Sequence, residues 1–121
     1  MADSHHDPVL DPAALDSLRA LGGDDEPGLF LEVIELYLDD SATHVANLRS
    51  SLEANDLRLL ERTAHTLKSS SANVGALGFS KLCFELEQMV RNAQLDAAPS
   101  LVAAAEAQFA LVREALRATK A

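Results

Sequence analysis

The 121-residue sequence predicts an all-α fold, an antiparallel up-down four-helix bundle with a short additional N-terminal helix. Apolar residues recur at steps of three and four through five segments, and no segment alternates with the two-residue period of a strand. The breaks between segments are short and rich in Gly, Pro, Asn and Asp, so successive helices should pack antiparallel. Composition agrees: 48% hydrophobic but 4% aromatic residues give a Leu, Ala and Val core, suited to packed helices rather than an aromatic-rich sandwich.

Asp11-Pro12 opens the first helix, with Asp as the cap and Pro at the first helical position. Leu15, Leu18 and Leu21 point inward, and Gly22-Gly23 ends it. Asp24-Asp25-Glu26-Pro27 starts the second helix, with acidic groups at the positive end of the dipole; Phe30, Val33, Ile34, Tyr37, Val45 and Leu48 carry it to about Ser51. Asn55-Asp56 caps the third helix, about Asp56 to Val74, whose core stripe is Leu57, Leu60, Ala64, Leu67, Ser71 and Val74. After a turn over Gly75 to Gly78, a fourth helix from about Phe79 to Ala93 buries Phe79, Leu82, Cys83, Leu86 and Val90. Beyond Asp96-Pro99 a fifth helix carries Leu101, Ala105, Phe109, Val112 and Leu116. Residues 1–10 are expected to form a flexible tail and 11–121 one domain.

The net charge of −9 argues against a nucleic-acid partner, which needs clustered Lys and Arg, and against an anionic membrane surface. No apolar run approaches the ~20 residues of a membrane span, and the polar start has no signal-peptide core. The lone Cys83 cannot form an internal disulfide, and neither it nor His5-His6 has the spacing of a metal site. The expectation is a cytoplasmic protein with no metal or cofactor of its own. No heptad seam is left over for dimerisation, so a monomer is expected.

Candidate chemistry lies on the third helix. At about 100° per residue, His65 falls off the core stripe beside Glu61, Lys68, Ser69 and Ala72. A neutral imidazole is a competent nucleophile near pH 7. The small residues after it leave the ring open to another protein, and Lys68 can offset the charge of a phosphoryl group. Geometry alone favours the ordinary reading, a surface histidine beside a surface lysine.

The segment from Ala64 to Ala76 resembles the signature of histidine-containing phosphotransfer (HPt) domains: His65, Lys68 three residues on, small residues, then a Gly-containing turn. Gly22 to Pro27 and Leu82 to Glu87 resemble the family's second-helix entry and fourth helix. The resemblance implies a phosphorelay carrier in two-component signalling. His65 would accept a phosphoryl group from a receiver-domain aspartyl-phosphate and pass it to another receiver, with Lys68 stabilising the charge. The implied partners are response-regulator receiver domains and a hybrid sensor histidine kinase, with Mg²⁺ supplied by the receiver. One departure stands out: Ser69 occupies the position after the Lys where the family usually has Gly.

An autonomous kinase is disfavoured by the absence of a Gly-rich phosphate loop. A sensor-kinase dimerisation helix is disfavoured because Thr66, Leu67 and Lys68 follow the histidine. The competing class is a helical adaptor that binds a receiver or kinase without phosphotransfer. For docking, the hairpin register places the fourth-helix level near Gln88 opposite His65, with Phe84, Glu87 and Arg91 on the same face. Ser69, Ala72 and Leu38 complete the expected docking surface, whereas Leu31 is expected to pack under the first helix. Around His65 the surface should be small or apolar with acidic groups further out, so short-range apolar contacts should dominate docking.

Overall fold

The computed structural model describes residues 9–22 and 28–119. It contains α1 (Pro12–Gly22), α2 (Gly28–Glu53), α3 (Leu57–Asn73), α4 (Leu77–Arg91), a 3₁₀ turn (Leu95–Ala97) and α5 (Ala98–Thr119), with no strand among the described residues. The expected acidic entry to α2, residues 24–27, lies outside the described residues, as do residues 1–8 of the expected tail.

The local signals account for the helix ends. Asp11 precedes Pro12, and its carboxylate accepts from the Ala13 amide at 3.3 Å. The Asp56 carboxylate accepts from the Leu59 amide at 3.2 Å, which caps α3. α3 ends in a Schellman turn: Gly75 takes φ +81°, and the Ala76 amide reaches back to the Ser71 carbonyl. Gly75 is required twice over, because a Cβ there would lie 3.0 Å from the Asp11 carbonyl oxygen and 3.1 Å from the Ala14 Cβ. The Asp11 amide donates to the Gly75 carbonyl at 2.8 Å, so the α3–α4 turn also anchors the start of α1. α4 stops at Arg91, short of the expected Ala93, because Ala93 itself adopts φ 57° and turns the chain out of the helix.

Antiparallel packing of α3 and α4 is visible in the cross-helix contacts. Lys68 meets Ser80, His65 meets Glu87 and Glu61 meets Arg91, each step back on α3 matching a step forward on α4. α2 packs on α3, where the Tyr37 hydroxyl and Ser71 Oγ stand 2.7 Å apart in the core. α5 closes the bundle against α4 and α2, and a two-pronged Arg49–Glu106 pair bridges α2 and α5. Ile34, Leu48, Leu60, Leu67, Phe79 and Leu116 lie at the centre, essentially without solvent contact.

Several expectations need correction. Leu21 is 68% exposed. Two successive steps of three carry it about 120° round the helix from the buried Leu15. Leu38 is 6% exposed and belongs to the core, so it is not a docking residue. It continues the i+4 row from Phe30 and Ile34, and the α2 stripe is wider than Phe30, Val33, Ile34 and Tyr37 alone. Leu31 shows the opposite behaviour and stands 40% exposed. Val9 and Leu10, assigned to the tail, pack against the core. The stretch Leu95–Thr119 is long and apolar enough by composition to cross a membrane, contrary to the sequence reading. Within the bundle its Val102, Ala105, Phe109, Val112 and Leu116 are core residues.

Candidate functional site

His65 lies near the middle of α3, exposed, with its ring over the α3–α4 seam. Its Nδ1 is 2.8 Å from Oε2 of Glu87, a residue that is 1% exposed. Burying a carboxylate is costly unless cations surround it. Here the Arg91 Nη2 donates to Oε2 at 3.0 Å, and the Lys68 ammonium forms an ion pair with Oε1 at 3.1 Å. Oε1 accepts no aligned hydrogen bond, so Lys68 acts on it as a charge rather than as a directed donor. Burial pulls the Glu87 pKa up, but the adjacent Lys68 ammonium and the His65 ring together outweigh it and hold the carboxyl below its ordinary value.

The tautomer follows. An ionised carboxylate can only accept, so Nδ1 carries the ring proton. Nε2 then holds an unprotonated lone pair, and the 56%-exposed side chain leaves the ring accessible. A buried acid, a histidine held at one nitrogen and free at the other, and adjacent cations give the site the chemical parts that a nucleophile and its counter-charge require.

The second ring of contacts positions these groups. Arg91 Nε also donates to Glu61 Oε2 at 3.0 Å, which ties α4 to the turn of α3 before His65. Lys68 Nζ lies 5.3 Å from the Phe84 ring centroid, a cation–π contact that limits where its charge can go. Ser80 Oγ donates to the Lys68 carbonyl at 2.7 Å and pins the backbone beneath it.

Of the residues singled out from sequence, the structure brings together His65, Lys68, Phe84 and Arg91. Ser69 and Ala72 are exposed on the following turns of α3. Gln88 is half-buried, and the hydrogen bond to the ring comes from its neighbour Glu87. The sequence reading set Glu87 on this face but gave it no role, and it is Glu87 that contacts the ring. A signal was present, because Phe79, Cys83 and Glu87 form an i+4 row in which an acid occupies a core position. Cys83 in that row is buried, and desolvation pushes its thiol up to about 12, which makes it unreactive.

Beside the ring lies an open groove of about 330 Å³ lined by Arg58, Glu61, Arg62, His65, Glu87 and Arg91. The expectation of a small or apolar surround with acids further out therefore fails on this side of His65. α3 turns Arg58 and Arg62 onto the histidine's face by their i−7 and i−3 spacing.

Fold and site together define a class of protein: a helical bundle that offers one accessible, tautomer-fixed histidine, backed by a buried acid, to a macromolecular partner. Residues 32–120 match the family model of the Hpt domain. Histidine-containing phosphotransfer protein B (HptB) of Pseudomonas aeruginosa superposes with a TM-score of 0.85 at 32% identity, covering 94% of this chain and 96% of that one. A rice protein, provisionally described as a histidine-containing phosphotransfer protein, has the same fold, with a TM-score of 0.81 at 24% identity over 97% of this chain and 81% of its own. Multistep phosphorelay regulator 1 of Schizosaccharomyces pombe is 32% identical over 79 residues; the match takes in 65% of this chain and only 27% of that protein's length. The chain belongs to the Hpt domain family, the phosphocarriers of two-component phosphorelays.

Proposed function

We propose that His65 is the phosphorylated residue and that the chain carries phosphoryl groups between receiver domains. The observation that carries this is the His65 Nδ1–Glu87 contact, which leaves Nε2 as the free nucleophile. In the forward step Nε2 forms a bond to the phosphorus of a receiver aspartyl-phosphate. The bond from phosphorus to the acyl oxygen breaks in line, and its electron pair leaves on the aspartate carboxylate. The Nδ1 proton stays in place, so the phosphorylated ring is cationic and Glu87 neutralises it. Lys68 and Arg91, already at the site, can turn part of their charge towards the phosphoryl oxygens. Passage to a second receiver reverses the same bonds.

Catalysis on this side is positioning and electrostatics rather than acid–base chemistry. Mg²⁺ and the acidic pocket belong to the receiver, no cofactor is needed here, and the original phosphate comes from a hybrid sensor histidine kinase rather than from ATP bound by this chain. A cytoplasmic setting and a monomeric carrier complete the reading. The test is to incubate the protein with a labelled, phosphorylated receiver domain. Acid-labile, base-stable label should appear on the protein and vanish in His65→Gln. Binding without label would favour an adaptor, and label that persists in the variant would place the site elsewhere.

A further inference from the structure

On the basis of that phosphocarrier reading, we propose that Arg58 and Arg62 form a docking rim for the acidic face of a phosphorylated receiver domain, so that recognition is electrostatic at the groove although the chain as a whole is strongly acidic. Four cations, Arg58, Arg62, Lys68 and Arg91, stand with two carboxylates, Glu61 and Glu87, around His65, in a chain of net charge −9. Both carboxylates are engaged by Arg91. Arg58 and Arg62 are exposed, and neither forms an ion pair among the described residues. Arg117 likewise has no ion pair among the described residues, so what sets Arg58 and Arg62 apart is that both line the groove beside His65.

Local stability does not explain the two arginines. Arg58 occupies the first turn of α3, where no acidic residue is present and a cation opposes the helix dipole. Arg62 follows it at i+4, a spacing at which like charges repel. Both are directed into the groove that ends at the nucleophilic ring. An incoming aspartyl-phosphate brings a doubly charged phosphoryl group, and the leaving aspartate brings a carboxylate. Guanidinium groups suit such oxyanions because they bind them with paired, planar donors. At an ionic strength of about 0.1 M, charges more than about 10 Å away are largely screened. A partner closing on His65 therefore meets this positive cluster rather than the negative remainder of the chain.

The experiment measures kcat/KM for transfer from a labelled receiver domain, taken as the fastest donor among the receivers of the source genome, to the full chain at about 50 mM and about 500 mM NaCl. Transfer to the wild type should fall about tenfold across that range. Arg58→Gln/Arg62→Gln should be about tenfold slower at low salt, mainly through KM, and nearly salt-independent. Arg58→Glu/Arg62→Glu should be slower still, whereas Arg117→Gln, which removes one charge from exposed α5 surface, should keep both the rate and the salt slope of the wild type. A salt-independent wild type, or an Arg58/Arg62 double variant that tracks it, would overturn the rim. Labelling of the wild type by phosphoramidate, a small donor that needs no docking, separates the two ideas. If His65 is labelled but transfer ignores salt and both arginines, the rim alone is wrong. If His65 is labelled by no donor, the phosphocarrier reading fails with it.

Discussion

Replacing Glu87 by Gln removes one charge and almost no volume from the centre of the site. The carboxylate receives the ring Nδ1–H at 2.8 Å and the Arg91 guanidinium at 3.0 Å, and faces the Lys68 ammonium at 3.1 Å. The amide keeps one oxygen, so an Nδ1 hydrogen bond can re-form, but its NH₂ must then face Lys68 or Arg91, donor against donor. A hydrogen bond to a charged group contributes about 1.5–3 kcal/mol and a neutral one about 0.5–1.5 kcal/mol. The cationic phosphorylated ring needs the charged form more than the neutral ring does, so about 1–1.5 kcal/mol of its stabilisation disappears. At 1.36 kcal/mol per decade, phosphotransfer slows by about tenfold. Rapid-quench transfer from a labelled receiver measures the rate, and ¹⁵N chemical shifts of the ring report the tautomer. Transfer within twofold of wild type, with Nδ1 still fully protonated, would refute the assignment of Glu87 as the residue that orients and neutralises the ring. Acid titration provides an independent check. The Glu87 pKa is depressed in the folded state, so acid protonates the unfolded chain first. Its contribution to stability is complete well above the unfolded value of about 4.3 and is lost as the pH falls through the lower folded value. Glu87→Gln should therefore lose less stability than wild type across that window in urea melts. Glu106, held low by its hydrogen bond to Arg49, titrates in both proteins and cancels.

Four further substitutions probe the frame around the site. Gly75→Ala places a Cβ at φ +81° against Asp11 and Ala14, and should cost about 1–3 kcal/mol, read as a lower Tm and faster exchange of the Asp11 amide. Tyr37→Phe leaves the buried Ser71 hydroxyl without its partner and should destabilise by about 1–3 kcal/mol in chemical denaturation, with Ser71→Ala added to Tyr37→Phe recovering part of the loss. Leu38→Ala should cost about 2–5 kcal/mol with the transfer rate of the folded protein intact; a docking defect without destabilisation would contradict its burial. Ser69→Gly, at an exposed interior position of α3, should destabilise by about 0.5–1 kcal/mol and change the transfer rate less than twofold; a large rate increase would mean that the serine obstructs the ring.

The helices, their caps and the exposure of His65 were legible in the sequence because they depend on local periodicity and on single residues such as Asp11, Asp56 and Gly75. The same periodicity placed Lys68 beside the ring, since a neighbour at i+3 requires only that α3 be a helix. Contacts between helices were less legible. Estimating the hairpin register from the turn put Gln88 opposite His65, whereas the left-handed Gly75 and the start of α4 at Leu77 bring Glu87 there. One residue of register is about 100° of rotation, enough to exchange a half-buried amide for a buried acid. Leu31 and Leu38 were misjudged for a related reason: the width of the buried stripe on α2 depends on which helices cover it. Charge behaved in the same way. The net value of −9 is a property of composition, but only the folding of α3 against α4 brings Arg91, with its α4 neighbour Glu87, to Glu61 and leaves Arg58 and Arg62 without an ion pair among the described residues beside the histidine. The sequence by itself determined the bundle and the exposure of His65 beside Lys68, because these follow from short-range order along each helix. The buried acid that fixes the ring and the basic groove beside it were decided by tertiary structure, because each is built from side chains of two helices whose meeting depends on the path of the turn between them.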